Sequence, residues 1–183
     1  NTSFMKARFV TKAALSALAL AFAGTLPGVA QQTAAPAVDS VKASAVEKVF
    51  IEKMADIVQA GLKAGALDVK AVSGVLNEAV KADVSDRVMG AMVSMAAGAF
   101  PSSAPAVASA AVRSYGSNIR EGHVRNVIAS AVSSQSNPYA SVAPISEAVE
   151  KVLGNSPVAA AVSSIAVDVA AQTPDNPLSG ETV

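Results

Sequence analysis

The sequence predicts an all-α domain with about six to eight short antiparallel helices, arranged as an array or a bundle. Composition is the first reason: from residue 31 onward the chain holds 32 Ala and 25 Val but only 5 Leu, and Ala is the strongest helix former. Spacing is the second reason, because apolar residues recur at steps of three and four, as on one face of a helix. Turn-forming residues also recur about every 18 residues between Val84 and Pro174, which leaves segments of three or four helical turns.

Residues 1–30 have the features of a secretory signal peptide, with a few upstream residues before the first methionine. A positively charged start precedes an apolar run from Ala13 to Leu26, and small residues then lead to Ala30. We expect cleavage after Ala30, with cleavage after Ala23 as the alternative. The run is shorter than the roughly 20 apolar residues of a membrane-spanning helix, so the sequence predicts a periplasmic or secreted protein. The basic residues of the start are Lys6, Arg8 and Lys12.

The charge balance and the lack of cysteine exclude several functions. Without residues 1–30 the chain carries 11 basic and 14 acidic residues, a net charge near −3. A nucleic-acid-binding protein needs a basic surface, so we expect no nucleic-acid partner. Since the sequence contains no cysteine, it offers no thiol nucleophile and no sulfur-ligated metal site. We also expect no cofactor and no transmembrane segment after residue 30.

One helical domain is expected over residues 39–172. A flexible segment over residues 31–38 should precede it, and a disordered tail over residues 173–183 should follow it, because both stretches contain proline among small and polar residues. These boundaries divide the chain into a leader, a short connecting segment, a domain and a tail.

The first helix is expected to begin after Asp39 or Ser40 as its cap and to run to about Ala64, where Gly65 ends it. Gly61 and Gly65 also match the pattern of small residues that permits close helix packing, although a helix stop is the preferred interpretation. Further caps are expected at Ser103, Asn118 and Ser156. The further breaks are expected at residues 83–85, Pro101, residues 116–118, Asn137-Pro138, residues 154–157 and Pro174.

Apolar stripes at helical spacing predict the core. Three methionines at steps of three are expected to fill that core, with an adaptable binding surface as the alternative. These methionines are Met89, Met92 and Met95. There are four stripes: Val46, Phe50, Met54, Ile57, Val58 and Leu62; Val124, Val127, Ile128, Ala131 and Val132; Val142, Ile145, Val149, Val152 and Leu153; and Val158, Val162, Ile165 and Val169.

Two successive segments make a unit of about 36 residues, which is in the range of helical-hairpin repeats. Through segments such as Val127 to Val132, the chain from Ala71 to Ala171 resembles the alanine- and valine-rich helical repeats of exported proteins in Gram-negative bacteria. The resemblance implies a helical array and carries over no functional residue.

Few residues suggest chemistry. His123 is the single histidine. With Glu121 it could form an acid–base pair, but a surface histidine near the start of a helix is the preferred interpretation. Glu147 and Glu150, next to Lys151, could form a weak metal or acid–base pair, but a solvated helix face is the preferred interpretation. The part of the chain after residue 30 contains no serine-hydrolase motif and no phosphate-binding loop. We therefore assign no catalytic, cofactor-binding or metal-binding residue.

Three functions remain open at this point. The preferred hypothesis is an exported structural or protein-interaction module of the cell envelope, without catalytic activity, whose partner is an envelope protein or a second copy of the chain. The alternatives are a peripheral protein that binds membrane surfaces through its amphipathic first helix, and a hydrolase that uses His123.

Overall fold

Seven α-helices make up residues 44–173, the part of the chain that the computed structural model describes, and these residues contain no β-strand. The all-α class is therefore confirmed. The expected signal peptide, the segment 31–38 and the tail from residue 174 lie outside the described residues. The helices are α1 (Ala45–Ala64), α2 (Val69–Lys81), α3 (Asp86–Ala99), α4 (Ala104–Tyr115), α5 (Glu121–Ser133), α6 (Pro138–Leu153) and α7 (Val162–Gln172), with short 3₁₀ turns at Pro101–Ser103, Gly116–Asn118 and Pro157–Ala161.

Local sequence explains where α1 begins and ends. The Ser44 hydroxyl accepts a hydrogen bond from the backbone N–H of Glu47 (3.2 Å), and the Glu47 carboxylate accepts one from the backbone N–H of Ser44 (2.9 Å), which forms a reciprocal capping box. Ser44 thus takes the role expected of Asp39 or Ser40, which lie outside the described residues. The helix stops where expected, and Gly65 has a φ of 78°, in a left-handed region that favours glycine.

The five breaks expected between residues 83 and 157 all separate helices. Two helices begin with a side-chain cap that the sequence analysis did not assign. The Asp68 carboxylate accepts a hydrogen bond from the backbone N–H of Ala71 (2.9 Å) at the start of α2, and the Asn137 side chain accepts one from Ala140 (3.1 Å) at the start of α6. Such caps satisfy backbone donors that have no partner inside the helix.

Of the three expected caps, only Asn118 is wrong, since Ser103 occupies the N-cap position of α4 and Ser156 caps a 3₁₀ turn. Asn118 lies inside a 3₁₀ turn, and Arg120 is the residue that precedes α5. Ser103 forms no capping hydrogen bond with its side chain. The Ser156 hydroxyl accepts a hydrogen bond from Val158 (3.4 Å) and therefore caps the 3₁₀ turn before α7 rather than α7 itself. Each connection contains a short 3₁₀ turn that helical spacing alone does not reveal.

The helices contact one another in a regular order. Each helix packs against the second helix further along the chain: α1 with α3, α2 with α4, α3 with α5, α4 with α6, and α5 with α7. Each helix also contacts its immediate neighbour in sequence. The odd-numbered helices therefore form one row and the even-numbered helices form another, and all seven contribute side chains to one apolar core.

The core agrees with the predicted stripes most closely in the middle of the domain. All five residues of the α5 stripe are fully buried. In contrast, Val46 and Leu62 of α1 are 53% and 52% exposed. The reason is that α1 is at the end of the row and packs against α2 and α3. Met89 and Met92 are fully buried and Met95 is partly buried, so core filling is confirmed for the methionines. The other stripe residues that are only partly buried are Ile57, Val142, Val152, Leu153, Val158 and Val169.

The axes of α3 and α5 approach closely at two glycines of α3, Gly90 and Gly98. A Cβ atom at Gly90 would lie 2.7 Å from Ser130 Oγ and 2.8 Å from Asn126 Oδ1. A Cβ atom at Gly98 would lie 3.4 Å from the Cβ atom of Ser134. The first two distances are shorter than real Cβ contacts, so a larger residue at Gly90 must displace the facing side chains of α5.

Side chains of α5 and of the residues after it also bond to the backbone of α3. The Asn126 amide nitrogen donates to the Asp86 carbonyl oxygen (2.7 Å) near the start of both helices. The Gln135 amide nitrogen donates to the Ala97 carbonyl oxygen (3.2 Å) near the end of both helices. A hydrogen bond of this kind contributes about 0.5–1.5 kcal/mol, and the two bonds fix the register of α3 against α5.

Similar contacts join α1 to α3. One oxygen of the Glu47 carboxylate accepts hydrogen bonds from the Ser85 hydroxyl (2.5 Å) and backbone N–H (3.3 Å). The hydrogen bond from the Ser85 hydroxyl is the main reason why the pKa of Glu47 lies below its usual value. At the other end, a Cβ atom at Gly61 would lie 2.9 Å from Cζ of Phe100. Gly65 therefore stops α1, as expected, while Gly61 provides the close approach that was the second interpretation of this pair.

We expect Gly90→Val to lower the free energy of unfolding by about 1–3 kcal/mol, because its side chain must displace Asn126 and Ser130. Gly74→Val is the matched control, since a Cβ atom at this position of α2 has no neighbour within 4 Å, and its effect should stay within about 0.5 kcal/mol. Urea unfolding followed by circular dichroism measures both variants. Equal losses in the two variants would contradict the close approach of α3 and α5.

Candidate functional site

His123 lies in the first turn of α5, where it packs against the last residue of α4. The imidazole and the ring of Tyr115 are stacked, with centroids 4.2 Å apart and planes inclined by 8°. The His123 side chain is 21% exposed, and Tyr115 is buried. Stacked aromatic pairs contribute about 0.5–1.5 kcal/mol beyond the burial of their area, so this contact helps to hold the end of α4 against the start of α5.

Asp86, the first residue of α3, completes the group. Its Oδ1 atom accepts a hydrogen bond from the Tyr115 hydroxyl (3.2 Å) and lies 3.8 Å from Nε2 of His123. A carboxylate in the first turn of a helix also interacts favourably with the helix dipole. The three residues, which we name the Asp86 cluster, join the start of α3, the end of α4 and the start of α5.

The contacts of His123 do not include Glu121. Its Nδ1 atom accepts a hydrogen bond from the backbone N–H of Arg120 (3.3 Å), so the proton of the neutral ring resides on Nε2, which faces Asp86. Glu121 instead lies 3.4 Å from the guanidinium of Arg125, one helical turn later. His123 therefore does not pair with Glu121, because residues two apart on a helix do not face each other. It lies near the start of a helix, as in the preferred interpretation of the sequence.

Tyr115 is held in its protonated form. Burial, followed by the charge of Asp86 and the hydrogen bond to its carboxylate, raises the pKa of Tyr115 above its usual value of 10.0. A hydroxyl that retains its proton and donates it to a neighbouring carboxylate is a poor base and a poor nucleophile. The Tyr115 hydroxyl is satisfied by Asp86, and the geometry accounts for the three residues of the Asp86 cluster as contacts between helix ends.

The carboxylates of α6 do not form a paired site. Glu147 is exposed, and the Glu150 carboxylate accepts a hydrogen bond from the Ser163 hydroxyl (2.7 Å) at the start of α7. Within residues 44–173 no group of three His, Cys, Asp or Glu side chains is arranged to hold a metal ion. We therefore assign no metal-binding or cofactor-binding residue to this region.

A shallow groove runs over the surface between the end of α4 and the end of α6. It consists of two adjoining hollows of about 500 and 550 Å³, which share Arg113 and Val152. Arg113 and Lys151 are exposed and line the groove together with a partly buried apolar wall. We name this surface the α4–α6 groove. The apolar wall consists of Ile119, Val152, Leu153 and Val158.

No known protein-family model, no curated protein and no solved structure matches this chain. The residues themselves must therefore carry the functional argument. In the part of the chain that the structure describes, no helix is long and apolar enough to cross a membrane.

Sequence reasoning identified one member of the Asp86 cluster and missed the other two. The hydroxyl of Tyr115 bonds to Asp86 of another helix, and no local spacing predicts that contact. The α4–α6 groove was missed entirely, because Arg113 and Lys151 belong to helices whose contact the sequence does not reveal. The only available signal was that each of these cations lies in the last turn of its helix, where the helix dipole favours positive charge.

We expect Tyr115→Phe to lower the free energy of unfolding by about 0.5–1.5 kcal/mol near neutral pH, because it removes one hydrogen bond and keeps the ring. Folding raises the pKa of Tyr115 above its usual 10.0. The stabilisation is therefore complete below pH 10.0 and is lost as the pH rises through the folded-state pKa. Urea unfolding from neutral to alkaline pH measures the difference in the free energy of unfolding between wild type and variant. This difference should shrink as the pH rises above 10.0.

Tyr139→Phe is the control for this measurement, since Tyr139 is 56% exposed and its hydroxyl has no hydrogen-bond partner among the described residues. Its effect should be small at every pH. If the difference in unfolding free energy between wild type and Tyr115→Phe stays constant into alkaline solution, the hydroxyl of Tyr115 does not bond to Asp86.

Proposed function

We propose that this chain is an exported, non-catalytic helical module of the cell envelope that binds another protein or a second copy of itself. The observation that carries the proposal is the packing of each helix against the second helix along the chain. This packing buries most of each central helix in the core and leaves a narrow outer strip exposed along each row, which includes Ala91 of α3 and Arg113 of α4. Stacked helical hairpins expose such surfaces and use them for binding.

The proposal includes an antiparallel arrangement of successive helices. Three contacts support it. Glu47 and Ser85 connect the starts of α1 and α3, and Phe100 packs on Gly61 near the ends of both. In contrast, Tyr115 at the end of α4 meets the starts of α3 and α5. Short connections between consecutive helices are typical of antiparallel neighbours.

Interaction with a partner is supported by the two terminal helices of the described region. α1 exposes Val46, Val49 and Leu62, and α7 exposes Val167, each at about half of its full area. The terminal units of a helical array must either carry a polar outer face or pair with another surface. The partner class, an envelope protein or a second copy, follows from these exposed residues together with the proposed export.

Export itself rests on the leader, which lies outside the described residues. The charged start, the apolar run and the small residues before Gln31 match the physical requirements of a secretory signal. We propose that the leader directs the chain to the periplasm or beyond, with cleavage after Ala30. The mass of the exported product identifies its first residue directly.

The test combines export with binding. We expect mass spectrometry to find a product that begins at Gln31 in the envelope or medium, and we expect the immobilised product to retain a protein that then binds the purified chain in a saturable manner. His123→Ala should bind that protein as tightly as wild type, because a binding module does not need histidine chemistry.

Three outcomes would contradict the proposal. A chain that stays unprocessed in the cytosol would remove the assignment to the envelope. Binding to anionic vesicles with no protein retained would favour the membrane-surface alternative. Turnover of a substrate that is abolished by His123→Ala would favour the hydrolase.

A further inference from the structure

Two cationic side chains without ion-pair partners lie beside an apolar wall in the α4–α6 groove. Arg113 lies in the last turn of α4, and Lys151 lies in the last turn of α6. Among the described residues, neither side chain takes part in an ion pair or in a side-chain hydrogen bond. The helix dipole explains why a cation is favourable at each helix end, but it does not require both cations to line one groove.

Nearby carboxylates do not form ion pairs with these two cations. Glu150, the acidic residue nearest to Lys151 in sequence, accepts a hydrogen bond from Ser163 of α7. Glu147 lies one turn before Lys151, but the two side chains do not approach within ion-pair distance. An incoming anion would therefore meet two cations that need not first release a partner.

The apolar wall adds a second requirement on the occupant. Ile119, Val152, Leu153 and Val158 pack against the core but remain partly exposed in the groove. An occupant that covers them gains from the removal of apolar area from water. The cations and this wall are adjacent, since Arg113 and Val152 line both hollows, so the matching ligand carries negative charge and an apolar group close together.

We propose that the α4–α6 groove binds an extended acidic segment of a partner protein, with a carboxylate at Arg113 and Lys151 and an apolar side chain against Val152 and Val158. The proposal rests on the function proposed above and names the part of the surface that performs it. A hollow of about 500 Å³ has room for the side chains of a few residues. An acyl chain would stay largely exposed in so open a groove, and two cations are too few to hold a nucleic acid against salt.

The test selects ligands without assuming a sequence. A library of random 12-residue peptides is selected on the full chain, and the most enriched peptide is labelled with fluorescein and titrated by anisotropy. We expect the enriched peptides to combine Asp or Glu with Leu, Ile, Val or Phe. We expect the double variant Arg113→Gln/Lys151→Gln to bind the labelled peptide about tenfold more weakly, and we expect added salt to weaken wild-type binding.

The double variant Lys63→Gln/Lys81→Gln is the matched control. It removes two exposed lysines that also lie in the last turns of their helices, α1 and α2, but that do not line the groove. It should bind the peptide as wild type does.

In the wild-type chain, the amide resonances of Ile119 and Val152 should shift when the peptide is added.

The proposal would be overturned if no peptide is enriched, if the enriched peptides lack acidic residues, or if the control variant loses as much affinity as the groove variant. Resonance shifts confined to α1 or α7 would also overturn it. That last result would leave the interaction module standing, because it would show peptide binding at another surface. A failure of the proposed function itself would appear as a chain that is not exported or that turns over a substrate.

Discussion

The close contact between α3 and α5 is the constraint on which the remaining packing depends. A core built mainly from Ala and Val gains little from any single side chain, so its helices must approach closely to exclude water and empty space. Gly90 provides that approach, since a Cβ atom there would lie within 3 Å of two side chains of α5. α3 also contacts α1, α2 and α4, and a shift of α3 would disturb every one of these interfaces.

Polar contacts at the helix ends complement the small core. Glu47 links α1 to α3, and the Asp86 cluster links α3 to α4 and α5. Each link is partly exposed and individually weak, but each fixes the position of a helix end that small apolar side chains would leave free to slide. The single histidine and a buried tyrosine are thereby explained by packing.

The sequence predicts the local features well because they depend on neighbouring residues. Gly65, Pro101 and Asn137 each interrupt helical spacing by known backbone effects. Helices end just before Gly65 and Pro101, and one begins just after Asn137. Contacts between distant residues are different. Glu47 contacts Ser85, and Arg113 and Lys151 line the same groove, only because the second helix along the chain returns to the same row. No local pattern encodes that return.

Disulfide trapping tests the contact of α3 with α5 most directly, because the chain contains no native cysteine. A Cβ atom at Gly98 would lie 3.4 Å from the Cβ atom of Ser134, close to the roughly 3.5–4.5 Å found in disulfides. We expect Gly98→Cys/Ser134→Cys to form an intramolecular disulfide on mild oxidation, and we expect Gly74→Cys/Ser134→Cys to stay reduced. A Gly98→Cys/Ser134→Cys chain that keeps both thiols free under these conditions would contradict the account.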